Sequence, residues 1–83
     1  MQLTLDMPEA AFATLHQAPD ELAKELRIAA AVKWYEIGRV SQGRGAEIAG
    51  LSRAAFIDAL SSYRVSPMQY TEQELVDELS DAN

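Results

Sequence analysis

The sequence predicts a mainly α fold: a small helix-turn-helix helical domain with short N-terminal and C-terminal strands, expected to be dimeric. Three observations predict it. In the stretch from Gly43 to Leu60, Ala46 is small where two helix backbones must come close. Gly50, four residues on, suits a turn at positive φ, and Leu51 buries just beyond it. That is the spacing of a helix-turn-helix. Residues 19–37 carry apolar side chains at helical spacing, enough for a scaffold helix. Finally, 83 residues at 48% apolar, with no cysteine, allow one small globular core and no disulfide to staple it. Cores of this size often complete themselves by oligomerising.

One domain over residues 1–83 divides into a strand and short helix at 1–18, a helical core at 19–63 and a further strand and acidic helix at 64–83. The helix-turn-helix lies at 42–63. Leu3, Leu5 and Met7 alternate with Gln2, Thr4 and Asp6, the period of a strand with one buried face. A lone strand is unstable, so these three residues are expected to pair with a later strand or with a second copy. Pro8 suits the first position of a short helix whose inward face is Ala11, Phe12 and Leu15. That helix ends before Ala18-Pro19, since a residue preceding proline is biased out of helix.

Pro19-Asp20-Glu21 opens the longer helix, with Leu22, Leu26, Ala30, Trp34 and Ile37 as its predicted inward stripe, broadened by Ala29, Ala31 and Val32. Gly38 stops it, and Lys33 complements its dipole. Ser41 is a plausible N-cap for the first motif helix, and Ser52 for the second. Phe56 and Leu60, four apart, form the inward stripe of that second helix. Gly43 and Gly45 each cost about 1 kcal/mol of helix propensity relative to alanine. Close packing or the approach of a partner's backbone has to offset that cost.

Beyond Tyr63 the pattern changes. Arg64-Val65-Ser66-Pro67-Met68-Gln69-Tyr70 reads as a short extended stretch, with Pro67 confining it to a sheet edge. Thr71-Glu72-Gln73-Glu74 is a capping box. The helix it opens carries Leu75, Val76 and Leu79 on one side and Glu72, Asp77, Glu78 and Asp81 around the rest.

The net charge is −6, unpromising for a nucleic-acid binder until its distribution is considered. Residues 24–64 hold all seven Lys and Arg against four acids. Residues 1–23 hold four acids and residues 65–83 five, with no base in either. A basic centre between acidic ends suits two partners of opposite character, or simply solvated ends tuned for solubility. No apolar run is long enough to span a bilayer, and the first six residues lack the pattern of a signal peptide. A cytoplasmic protein without membrane partners is expected.

Catalytic chemistry is not set up. His16 is the only histidine, so one chain holds no two-histidine metal site. The serines have no histidine-acid constellation, and Gly43-Arg44-Gly45 lacks the spacing of a phosphate loop. Neither an enzyme, a cofactor nor a metal site is expected.

Several runs resemble uncharacterised protein family 0175. They are Glu25-Leu26-Arg27, Tyr35-Glu36-Ile37-Gly38-Arg39-Val40-Ser41, Ala46-Glu47-Ile48-Ala49-Gly50-Leu51-Ser52 with Phe56, and Tyr70-Thr71-Glu72-Gln73-Glu74-Leu75. The likeness covers nearly the whole chain, departing at Gln42-Gly43-Arg44-Gly45, where members carry a bulkier or basic pair. Such proteins are small prokaryotic helix-turn-helix proteins, regarded as antitoxins and commonly encoded beside a PIN-domain ribonuclease toxin. The resemblance implies two jobs, neutralising the cognate toxin and binding the operon's promoter DNA as a homodimer.

Carried onto these residues, the second motif helix would enter the major groove by its N-terminal end, presenting Ser52 and Arg53. Arg53 would read guanine or hold a phosphate, with Arg39, Arg44 and Arg64 as backbone contacts. The acidic C-terminal helix suits a basic nuclease groove, with Tyr70, Leu75, Val76 and Leu79 as toxin contacts. Two readings compete. The chain is also legible as an interaction and dimerisation module that never touches DNA. A strand followed by two helices is similar to ribbon-helix-helix repressors, which read DNA through paired strands; the polar face here would be Gln2, Thr4 and Asp6.

Overall fold

The computed structural model describes residues 1–67 and builds them from four helices. These are α1 (Glu9–Leu15), α2 (Pro19–Glu36), α3 (Gln42–Ala49) and α4 (Arg53–Ser62). Proline starts the first two: Pro8 precedes α1 in an extended conformation, and Pro19 is the first residue of α2. No hydrogen bond is lost there, because first-turn N–H groups have no partner within the helix. The Ala18 N–H donates to the Glu21 carboxylate at 3.2 Å, fixing the entry to α2. Serine starts the other two. The Oγ atoms of Ser41 and Ser52 accept from the N–H groups of Arg44 and Ala55, each at 3.1 Å.

All four helices close on a residue at positive φ: His16, Gly38, Gly50 and Arg64. In each case the next residue's N–H reaches back to a carbonyl of the last turn: Gln17 to Phe12, Arg39 to Trp34, Leu51 to Ala46 and Val65 to Leu60. Glycine meets this demand without a Cβ penalty at Gly38 and Gly50, whereas His16 and Arg64 carry it.

Helices α2, α3 and α4 pack on one another, and the core lies between them. It consists of Ala31, Val32 and Tyr35 from α2, Ala46 and Ala49 from α3, Phe56 and Leu60 from α4, and Val65 beyond. Tyr35 and Phe56 meet edge to face, with centroids 6.1 Å apart and planes at 85°. The alanines keep three backbones close around those two rings. Helix α1, by contrast, buries none of its residues.

The inward face of α2 keeps Leu22, Ala31 and Val32 of the predicted stripe and differs at its C-terminal end. Leu22 is buried, but Tyr35 is 1% exposed while Trp34 is 36% and Ile37 55% exposed. Apolar residues cover more than one face of α2, so periodicity alone does not choose between them. Contact with α3 and α4 chooses, favouring the side where Ala31 permits close approach and the Tyr35 hydroxyl finds an acceptor.

Both predicted strands are corrected. Among the described residues there is no strand, and residues 1–8 run without regular structure or ladder. Their intended partner inside the chain folds otherwise. Arg64, at φ 59, ends α4 in the left-handed region, and Val65 turns into the core instead of continuing along an edge. Without a ladder, alternation at Leu3, Leu5 and Met7 makes no strand. The ribbon-helix-helix reading, which needs that strand, goes with it. Residues 68–70 of the second proposed strand and the acidic helix after them lie outside the described residues. Among those described, no helix is long and apolar enough to cross a membrane.

Candidate nucleic-acid interface

Helices α3 and α4 are joined by a turn whose geometry is fixed at both ends. On one side Gly50, at φ 72 and ψ 31, closes α3; on the other Ser52 caps α4. The exposed start of α4 therefore presents Ser52 and Arg53 together. Arg53 does not stand alone. Its Nε donates to Gln42 Oε1 at 2.8 Å, tying the first residue of α4 to the first residue of α3. Gln42 is 2% exposed, and its Nε2 donates to the Pro67 carbonyl at 3.0 Å. The Tyr35 hydroxyl donates to that same carbonyl, also at 3.0 Å.

The other predicted DNA contacts are dispersed. Arg44 lies in the first turn of α3, two residues from Gln42, with its Nη1 3.1 Å from Glu47 Oε2. Both side chains of that pair are exposed, so the bond is weak and a phosphate can compete for the arginine. Arg39 is exposed in the link between α2 and α3. Arg64 lies at the far end of α4 from Arg53, about 15 Å along the helix axis. Geometry thus groups Ser52, Arg53 and the start of α3, and leaves Arg39 and Arg64 at the margins.

Three residues without an assigned role in the sequence matter here: Arg27, Tyr35 and Gln42. Arg27 projects from α2 to the end of α3, its Nε donating to the Ile48 carbonyl at 2.8 Å and its Nη2 to the Glu47 carbonyl at 3.5 Å. Those carbonyls lie at the negative end of the α3 dipole, and that of Glu47 also accepts from the Gly50 N–H at 3.1 Å. A Cβ on Gly50 would lie 3.1 Å from both Arg27 Nη atoms, so glycine also leaves room for the guanidinium. Arg27 therefore pins the turn and is structural in this arrangement. Replacing it with methionine keeps the stem and removes the donors, and is expected to cost about 1 kcal/mol. A urea midpoint unchanged from wild type would contradict this role. Neither Arg27 nor Gln42 carried a local signal, because their partners lie 11 to 25 residues away.

The residues assigned to dimerisation, Leu3, Leu5 and Met7, are exposed. With Met1 and Phe12 they line an open apolar cleft against Leu22, Leu26, Ala30 and Trp34 of α2. The assigned toxin contacts Tyr70, Leu75, Val76 and Leu79 lie outside the described residues. Among the described residues, no group of three metal-ligating side chains comes together.

Fold and site define a class: a small helical protein whose last two described helices form a hairpin, the second of them serine-capped and exposed at its start. Within that class the chain belongs to the Uncharacterised protein family (UPF0175), whose model matches residues 1–83. It is similar to the UPF0175 protein of Aeropyrum pernix, at 37% identity over 78 residues, covering 94% of this chain and 82% of the relative. No solved structure matches the chain.

Proposed function

We propose that this protein is the antitoxin of a toxin-antitoxin module, a cytoplasmic homodimer that binds its own promoter DNA and neutralises a PIN-domain ribonuclease toxin. The observation that carries the DNA half is the start of α4. Ser52 caps an exposed helix end, and Arg53 is held there against α3 by Gln42. A second helix entering the major groove by that end brings Arg53 to base edges. Ser52, Arg44, Arg39 and Arg64 then hold phosphates and set the register. Dimerisation draws on the exposed apolar cleft of Leu3, Leu5 and Met7, which burial against a second copy would remove from water. The toxin half rests on the resemblance to antitoxins and on the acidic, amphipathic sequence around Tyr70, Leu75, Val76 and Leu79, suited to a basic nuclease groove.

Titration into a duplex of the protein's own promoter, beside an unrelated duplex of equal length, tests the DNA half. Three arginine–phosphate contacts per protomer, six in the dimer, predict a log–log salt slope of about −5, or roughly a thousandfold loss between 50 and 200 mM salt. Arg53→Gln is expected to reduce preference for the promoter by about tenfold. Equal binding to both duplexes, or affinity flat with salt, would contradict the reading. An interaction module that ignores DNA is the second reading, favoured by the −6 net charge and by the Arg44–Glu47 pair. Co-purification of the toxin without any promoter binding would establish it.

A further inference from the structure

We propose that Gln42 is a positioning residue for DNA reading: it holds Arg53 in place and makes the arginine's aim depend on the position of the Pro67 carbonyl. The inference rests on the DNA-binding reading above and adds a residue to it. In the sequence, Gln42 stands at the head of the glycine-rich stretch Gln42-Gly43-Arg44-Gly45. In the fold it is a buried primary amide, 2% exposed, with a partner on each side. A buried amide without partners would be costly, and here both ends are used.

Chemistry allows this amide one orientation. A guanidinium only donates and a peptide carbonyl only accepts, so Oε1 faces Arg53 at 2.8 Å and Nε2 faces the Pro67 carbonyl at 3.0 Å. Turning it over would set donor against donor and lone pair against lone pair. The Pro67 carbonyl is in turn located by the hydroxyl of Tyr35, which is 1% exposed and packed edge-on against Phe56. The line therefore runs from the aromatic core to Tyr35, to the Pro67 carbonyl, to Gln42 and out to Arg53. A long, flexible arginine gains a preferred direction from it. Pre-organising a side chain before binding reduces the ordering that binding must impose.

The line also connects two functional ends. Pro67 immediately precedes, in sequence, the segment expected to meet the toxin, and Arg53 is the residue expected to meet a base. A displacement of Pro67 strains the Nε2 bond at 3.0 Å, and the amide that follows it carries Oε1 and the Arg53 guanidinium along.

The test uses the full chain, a duplex of its own promoter, and duplexes with single base-pair substitutions. The readout is discrimination between them, which a purely structural residue would not alter at one base pair. Arg53→Gln is expected to lose about tenfold at the base pair it reads. Gln42→Met is expected to lose a similar factor at that same base pair, and the double variant no more than Arg53→Gln alone. Tyr35→Phe leaves the Arg53–Gln42 bond in place, removes a bond to Pro67, and is expected to lose about threefold there. Should methionine at this buried position unfold the chain, Gln42→Asn, too short to span both partners, carries the same expectation.

Wild-type protein that does not prefer its promoter overturns the DNA reading and this inference together. Wild-type discrimination that depends on Arg53 but survives in folded Gln42→Met overturns the positioning role alone. So does a loss at other base pairs, or one additive with Arg53→Gln. Full discrimination in Tyr35→Phe overturns the link to Pro67.

Discussion

Truncating Phe56 to alanine is expected to destabilise the protein by about 4 kcal/mol, within the usual range for a buried aromatic ring. Phe56 is fully buried and sits where α2, α3 and α4 meet, edge-on to Tyr35. Its loss removes the hydrophobic transfer of the ring, the aromatic contact and the filling of the space over Gly45. The cavity cannot close cheaply, because Tyr35 is held at its hydroxyl by Pro67 and α3 is pinned by Arg27. Small domains have total stabilities of about 5–15 kcal/mol, so such a loss leaves little or none. Urea unfolding followed by circular dichroism measures it. With a slope of about 1.5 kcal/mol per molar, the midpoint falls by nearly 3 M or vanishes. Leu15→Ala is the contrast: Leu15 is 50% exposed on α1 and is expected to change stability by less than about 0.5 kcal/mol. Equal effects from the two substitutions would contradict the core described above.

That contrast marks what the sequence made legible. Starts and stops of helices are local: Pro8, Pro19, Ser41 and Ser52 act within one turn, as do Gly38 and Gly50, and all six act near the expected places. Phe56 and Leu60 were legible too, since a single narrow stripe on a short helix leaves little choice of face. The rotation of α2 was not, because Trp34 and Tyr35 are adjacent aromatic residues and only α3 and α4 decide which is covered. Alternation at Leu3, Leu5 and Met7 suggested a strand, but alternation states only what a strand would bury, and a ladder requires a partner. Within the candidate site, Arg53 and Ser52 followed from the motif's spacing. The bonds that hold Arg53, through Gln42 to Pro67 and Tyr35, span up to 32 residues and leave no periodic trace.

Gly45→Ala should lower stability by about 2 kcal/mol, opposite in sign to what helix propensity predicts. In an exposed helix interior, alanine for glycine gains about 1 kcal/mol. Here an ideal Cβ would fall 2.6 Å from Phe56 Cζ and 2.8 Å from Cε2, distances that real Cβ contacts essentially never show. The ring is locked by Tyr35 and cannot swing aside, so α3 must move away from α4. Overpacking of this kind costs about 1–3 kcal/mol and occasionally more, which exceeds the propensity gain. Combining Gly45→Ala with Phe56→Leu isolates the contact. Without the ring's far edge the alanine should regain its helical advantage, giving a coupling energy above about 1 kcal/mol. A raised urea midpoint in Gly45→Ala alone would show that the ring has room. The same result bears on function. A glycine in a helix proposed to face DNA invites the idea that a phosphate or a partner's backbone approaches it. Gly45 is buried beneath Phe56 and meets its own protein there, so the cost of that glycine is offset by helix packing. Gly45→Ala should therefore act on promoter binding through the fold and through the α3–α4 spacing that carries the Gln42–Arg53 bond, whereas Arg53→Gln should alter it with the urea midpoint unchanged.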